Sequence, residues 1–334
     1  MIRHTSHKRK FPRKLLRKKI TPTKLLLILA VWGICTLLSV LFKTDGETPV
    51  ALESAVESIS VPQAKDKIRI CSWNLRNYNV AGRWLDGKWR EHPKPESEKT
   101  AIVETLKNIN ADIVLIQEMG DELFLKDLQN ILIKSGQPYA YAATTSFDAR
   151  SRLAIISKIK PEKFFDCSNI SFKLKDEEHF SPRGTLGAKF ISNGIEWYAY
   201  AIHLKSKSGA KKVDEGFYPF RFAELRAIDH RIFSISQNKP IIIGGDFNNE
   251  PSSALLRNLK KTKSKMITDG DFLKKNAYTY YWSKMGKYFI YDFFIENDTM
   301  AEYTLPPKIF ISKDAKKASD HLPIYVDLDI KKRR

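Results

Sequence analysis

The apolar positions along this chain fall in short dense runs separated by longer polar stretches, and most runs are too short to be helices. Lys67–Asn74 (KIRICSWN) reads as a strand that ends in polar residues. Asp112–Met119 (DIVLIQEM) and Ile241–Gly245 (IIIGG) read as buried strands. GTLGAKFIS and IEWYAYAIHL flank Asn193-Gly194, a favoured two-residue turn, and predict a hairpin. Further strands are predicted near 138–144, 151–157, 278–282, 288–295, 303–311 and 323–330. Helical spacing is found over 97–110, with Ile102, Val103, Leu106 and Ile109 on one face, and again over 121–135 and 217–236. A short helix is predicted after Pro251. Residues 75–96, rich in Arg, Trp, Gly and Pro, read as a long loop. Strands outnumber helices and several are joined by hairpins, which predicts a mixed α/β sandwich and not a doubly wound parallel sheet.

One apolar run is of another kind. Leu25–Phe42 is eighteen residues without a charge. At about 1.5 Å per residue it suits a hydrocarbon core about 30 Å thick. Residues 1–24 hold ten Lys and Arg and no acid, whereas Lys43–Pro62 carries Asp45, Glu47, Glu53 and Glu57. That asymmetry predicts a single transmembrane anchor with a cytoplasmic N-terminus and everything after it outside the cytoplasm. The run exceeds a signal-peptide core and no small-x-small site follows it closely, so the anchor is expected to be retained. The expected organisation is a basic segment (1–24), an anchor (25–42), a linker (43–66) and one globular domain (67–334).

Charge adds little to this picture. Lys and Arg number 57 against 38 Asp and Glu, a net +19. Removing the ten N-terminal cations leaves a mildly basic body of +9. Such a balance fits an anionic partner, nucleic acid or a lipid headgroup, without requiring one. Three cysteines (Cys35, Cys71, Cys167) make no disulfide framework, and no Cys/His metal spacing is present.

The chemistry lies in polar residues repeated at strand ends. Asn74 ends the first strand, Glu118 follows VLIQ, and His203 follows YAYAI. Asp246 and Asn248 follow IIIGG, Asp292 sits inside KYFIYDFFI, and Asp320-His321 precedes LPIYVDLDI. Oxygens of Asp, Glu and Asn suit Mg²⁺ or Mn²⁺ and not zinc. Two histidines donate to phosphate oxygens or move protons near neutral pH. Together these residues describe metal-assisted hydrolysis of a phosphate ester.

SWN at 72–74, QE at 117–118, HLKS at 203–206, GDFN at 245–248, YDFF at 291–294 and SDH at 319–321 occur in a fixed order. The ordered set spans residues 67–330 and resembles the endonuclease/exonuclease/phosphatase superfamily, deoxyribonuclease I-like members included. The resemblance implies a four-layer α/β sandwich: two packed mixed β-sheets flanked by helices, with the site at one edge, here preceded by one N-terminal transmembrane helix. It implies Mg²⁺ (or Mn²⁺) held chiefly by Glu118, helped by Asn74 and Asp320. Asp246 would position or deprotonate the attacking water, and Asn248 would hold that water or a phosphate oxygen. His203 and His321 would flank the phosphorus, with Asp292 orienting His321. Asp246 and His321 both stay open as the base. Arg152 and Arg183 match positions where family members place a basic residue near the substrate; a surface ion pair is the equal alternative. The match departs at Ser151, where deoxyribonuclease I-like members carry a glutamate supporting the first histidine; either Asp148 replaces it or His203 lacks that partner.

Substrate signals are weaker. Lys205, Lys207, Lys211 and Lys212 after the first histidine suit a phosphate backbone. Arg76, Arg83, Trp84, Lys88, Trp89 and Arg90 interleave cations with aromatics, which suits bases or a membrane surface. The expectation is a membrane-anchored, metal-dependent nuclease acting on nucleic acid outside the cytoplasm. The alternative is a phosphohydrolase of lipid headgroups. No protein partner is implied.

Overall fold

The computed structural model describes residues 66–146, 151–207, 218–253, 264–267 and 269–331, all within the compact unit Ser60–Arg334. The basic segment, the anchor, nearly all of the linker, Asp148, Lys211, Lys212 and the short helix after Pro251 lie outside the described residues. Among the described residues no helix is long and apolar enough to cross a membrane.

Two six-stranded sheets form the body. At the middle of the first, β1 (Lys67–Tyr78) lies between parallel β4 (Ile113–Met119) and antiparallel β18 (Ile324–Asp329). β17 (Lys308–Ile309) extends that sheet beyond β18, and β6 (Arg152–Ser157) then β5 (Tyr141–Thr144) extend it beyond β4. In the second, β12 (Ile241–Asp246) lies between parallel β11 (Ile195–His203) and antiparallel β16 (Asp292–Asn297). β10 (Thr185–Ser192) and β7 (Lys163–Cys167) continue beyond β11, and β13 (Ser264–Met266) beyond β16.

The central strands are apolar throughout because they are covered on both faces. Leu115, Trp197, Ile242 and Phe294 bury the inner faces in one core, which also takes in Ile102 and Leu106 of α1 (Glu96–Ile109) and Leu128 and Leu132 of α2 (Glu122–Lys134). A second core packs Tyr200, Ile202, Ile243 and Phe293 against Leu225, Ile228 and Ile232 of α3 (Tyr218–Ser236). The layers therefore run helices, sheet, sheet, helix. Gly244 lets the sheets close: a Cβ there would lie 2.7 Å from the Phe294 ring and 3.0 Å from Leu115 Cδ1.

This topology gathers the polar strand ends. β1 and β4 run the same way, as do β11 and β12, so their C-terminal residues share one edge. Asn74 pairs with Gln117, next to Glu118, and His203 pairs with Asp246. The antiparallel neighbours start at that edge, with Asp292 opposite Asp246 and His321 just before β18.

Several expectations change. Residues 75–96 are not a loop: β2 (Ala81–Leu85) and β3 (Lys88–His92) form a hairpin about Asp86-Gly87, both at positive φ (50° and 72°). That dipeptide is a favoured hairpin turn, hidden here by polar flanks. Residues 171–180 add a second small hairpin, β8 (Ser171–Leu174) with β9 (Glu177–Phe180). The strand expected over 288–295 splits into β15 (Lys287–Phe289), paired with β14 (Tyr280–Trp282), and β16. The break arises because Thr279 Oγ1 accepts from the amides of both Tyr291 (2.9 Å) and Asp292 (3.0 Å). Asp292 thus opens a strand and does not sit inside one. The strand expected over 303–311 shrinks to β17 and a lone bridge at Thr304, between the short helices α4 (Asp298–Ala301) and α5 (Lys313–Ala318). Cys71 and Cys167 are buried and free.

Candidate active site

Both central strands of the first sheet leave ideal geometry at the site edge. The β1–β4 register shifts between Asn74 and Tyr78, and Glu118 adopts φ 61° within a bulge of β4. Arg76 (φ 49°), Asn77 (φ 55°) and Asn248 (φ 51°) also lie in the left-handed region. Such backbone is costly for residues with a Cβ and gathers at functional sites.

Asp246 Oδ2 is the hub. It lies 3.2 Å from Asn74 Nδ2, 3.4 Å from His203 Nε2 and 3.8 Å from His321 Nε2. The other oxygen, Oδ1, accepts from the Asn248 amide at 2.8 Å, so the turn after β12 fixes the carboxylate. Asn74 Nδ2 also reaches Glu118 Oε1 at 3.2 Å. The amide is held in this sense because Asn74 Oδ1 must accept from the Arg76 N–H (2.9 Å). Asn74 therefore presents its NH₂ between the two carboxylates. Glu118 Oε2 accepts from the Asn77 N–H at 2.9 Å.

On the other side of the hub, His321 Nδ1 lies 2.8 Å from Asp292 Oδ2. Asp246, Asp292 and His321 bring their ligand atoms within 4.8 Å of one another. Asp292 engages Nδ1 of His321 and leaves Nε2 facing Asp246, an arrangement suited to proton and charge handling. The hard oxygens that fit a divalent ion are those of Glu118 and Asp246, joined by Asn74. Asp320 Oδ2 lies 3.7 Å from Arg76 Nε, and its charge adds to those that raise the pKa of His321.

The charges follow from burial. Burial pushes the Asp246 carboxyl well above the usual range, against the pull of His321. Burial alone would lower His321, but Asp292 and Asp246 outweigh it and raise its pKa to about 10. His203 is held well below its ordinary value by burial and by the positive charge of Arg183 and His321. At neutral pH His321 is an imidazolium and His203 a neutral ring. His203 Nδ1 is buried and, among the described residues, meets no partner; nor does Ser151 Oγ. The glutamate missing at position 151 is thus not replaced among those residues.

Of the two arginines, Arg183 reaches the site: its Nη1 donates to Leu204 O (3.3 Å), which also takes Asn248 Nδ2 (3.0 Å). Arg152 donates to Thr145 O (3.1 Å) and hydrogen-bonds to none of the residues around Asp246. The sequence reading also missed several supports. Ser319 Oγ donates to Asn74 O (2.8 Å) and accepts from the His321 N–H (3.1 Å), tying the two together. Glu224 of α3 accepts from the Lys205 amide (3.0 Å), fixing the loop after His203. Tyr280 packs on the His321 ring at 4.6 Å and stacks on Tyr291 at 5.2 Å. Thr279-Tyr280 falls in the strand expected near 278–282, but nothing in the residue types marked either one as a support of the site.

Among solved structures, the human Nocturnin catalytic domain with bound sulfate matches with TM-score 0.55 at 17% identity, covering 79% of this chain and 94% of that one. D. rerio TDP2 complexed with single-strand DNA product matches with TM-score 0.54 at 18% identity, covering 79% and 99%. Beta toxin from Staphylococcus aureus matches with TM-score 0.54 at 16% identity, covering 78% and 98%. At such identities these likenesses establish the fold. A search of curated proteins found no match. The family model described as Endonuclease/Exonuclease/phosphatase family matches residues 71–321, from β1 through His321. The chain belongs to the endonuclease/exonuclease/phosphatase family, whose members are phosphoric ester hydrolases, typically metal-dependent.

Proposed function

We propose that this protein is a metal-dependent phosphodiesterase that cleaves nucleic acid. The observation that carries the reading is the single oxygen Asp246 Oδ2, set among Asn74 Nδ2, His203 Nε2 and His321 Nε2 at 3.2, 3.4 and 3.8 Å. Glu118 would hold a Mg²⁺ or Mn²⁺ ion; when bound, it supplies Lewis-acid polarisation of the phosphoryl oxygen. Asp246 accepts the proton of the water that attacks phosphorus through Oδ2, the oxygen that faces both histidines. The bond from phosphorus to the leaving oxygen breaks, and that oxygen takes the proton from His321 Nε2. Asp292 keeps Nδ1 of His321 engaged, so the other nitrogen faces the substrate. His203 and Arg183 meet the phosphoryl oxygens without adding a second base. Asn248 holds the loop at Leu204 O in place.

One observation favours a polymer over a lipid headgroup. The β2–β3 hairpin exposes Trp84 and Trp89, packed edge to face at 5.8 Å, beside Lys88 and Arg90. Aromatic faces beside cations suit a single strand, whose bases stack and whose phosphates pair. A membrane tether through Leu25–Phe42, with the domain outside the cytoplasm, completes the proposal.

The test compares turnover of plasmid and single-stranded DNA with turnover of sphingomyelin and phosphoinositide vesicles by the full-length protein in Mg²⁺. Faster release from DNA supports the reading. Turnover of vesicles alone overturns it in favour of lipid phosphohydrolysis.

A further inference from the structure

We propose that Lys94 is a positioning residue for the metal site, acting through one peptide group; this rests on the reading of Glu118 as a metal ligand. Lys94 is fully buried, and its Nζ lies 2.9 Å from Glu98 Oε2 at the start of α1. Its other contact is the backbone: Nζ donates to Arg76 O at 3.3 Å. The peptide that carries this oxygen also carries the Asn77 N–H, which donates to Glu118 Oε2 at 2.9 Å. A trans peptide is planar, with C=O and N–H pointing in opposite directions. The ammonium of Lys94 thus holds the negative end of a rigid dipole whose positive end grips Glu118.

The peptide needs such a hold. Arg76 and Asn77 on either side of it are both left-handed, with φ of 49° and 55°. Side chains disfavour that region, so the surroundings must hold it. Rotation of the peptide would turn the N–H away from Glu118. The neighbouring peptide is pinned in the same way, since Arg83 Nη2 of β2 donates to Asn77 O at 2.5 Å. One peptide earlier, the Arg76 N–H sets the Asn74 amide between Glu118 and Asp246. A buried lysine usually carries a large desolvation cost, and here burial lowers its pKa in spite of Glu98. The polar groups it meets are Glu98 and a backbone carbonyl, neither of which touches substrate.

The experiment measures Mn²⁺ affinity of the full-length protein by electron paramagnetic resonance, beside circular dichroism and melting curves. The variants are Lys94→Met, Lys94→Met with Glu98→Gln so that no buried charge is stranded, Lys94→Ala, and Glu118→Gln. Residues that orient a metal ligand typically shift metal affinity by about 10–100-fold. The expected result is a Kd for Mn²⁺ raised about 10-fold in the folded Lys94→Met, Glu98→Gln protein. KM for a small phosphodiester at saturating Mn²⁺ stays unchanged, and propylammonium partly restores Mn²⁺ affinity to Lys94→Ala. A packing role alone would lower the melting temperature and leave Kd as in the parent. Wild-type affinity in the folded double variant, with binding lost in Glu118→Gln, overturns the role of Lys94 alone. Wild-type affinity in Glu118→Gln overturns the metal assignment, and the role of Lys94 falls with it.

Discussion

His321 Nδ1 and Asp292 Oδ2 lie 2.8 Å apart, both buried, with His321 Nε2 directed at Asp246 Oδ2 3.8 Å away. The pair acts as one unit, because the carboxylate both fixes the ring and keeps it charged. Asp292→Asn and His321→Ala should each lower kcat on a small phosphodiester by about 10²–10⁴-fold. The double variant should be little worse than His321→Ala, since groups acting as a unit are not additive. Rate measurements on all four proteins decide this; multiplicative losses would separate the two residues.

Asp246 is held against its own burial, and that costs stability. Its folded pKa is raised to about 7 from an unfolded value near 3.8. Below the unfolded pKa both states are protonated and nothing is lost. Between the two values the unfolded state ionises first, so the cost grows and is complete above the folded pKa. Asp246→Asn in EDTA should therefore melt a few degrees higher than the parent at pH 8 and level with it at pH 3.5. Melting curves at the two pH values check it. Activity should fall in the same variant, which separates function from stability.

His203 gives the opposite slope. Its folded pKa lies well below 6.5, so folding favours the neutral ring. Its contribution is present above the unfolded pKa and is lost as pH falls below it, because the unfolded chain then takes up a proton the native site resists. The urea midpoint should drop between pH 7 and pH 5. His203→Gln should flatten that drop, and an unchanged pH profile would mean the ring is solvated or partnered.

The exposed tryptophans mark where a strand would lie. Trp84 and Trp89 are 62% and 70% exposed although packed on each other, which leaves ring faces free. Replacing both with alanine should raise KM for a single-stranded oligonucleotide about 10-fold and leave a small phosphodiester unaffected. Rates on the polymer should also fall steeply with salt, as phosphate contacts release counterions. Flat salt dependence together with vesicle binding that needs both tryptophans would instead assign the hairpin to a membrane.

Most of the site could be read from the sequence because its residues end apolar strands, and an apolar run is the strongest local signal. Asn74, Glu118, His203 and Asp246 follow such runs, and parallel pairing of β1 with β4 and of β11 with β12 brings them to one edge, where His321 precedes the antiparallel β18. Asp292 was found as well, but its strand was misread because Thr279 takes two amides from across a turn, a contact no periodicity encodes. The hairpin of Trp84 and Trp89 escapes a sequence reading because β3 is exposed throughout and β2 buries no residue fully. Asn74 points its NH₂ at both carboxylates because the Arg76 N–H takes its oxygen, and the left-handed φ of Arg76 leaves no trace in residue type. Lys94 and Ser319 act through backbone atoms, and side-chain chemistry alone does not reveal that.

The most direct measurement is plasmid cleavage by the full-length protein in Mg²⁺, in parallel with EDTA and with His321→Ala. The account predicts cutting that stops in EDTA and falls by at least about 10²-fold in His321→Ala. Cutting that persists in either control would contradict the assignment of the site. Absence of cutting by the folded protein in both Mg²⁺ and Mn²⁺ would contradict nucleic acid as the substrate.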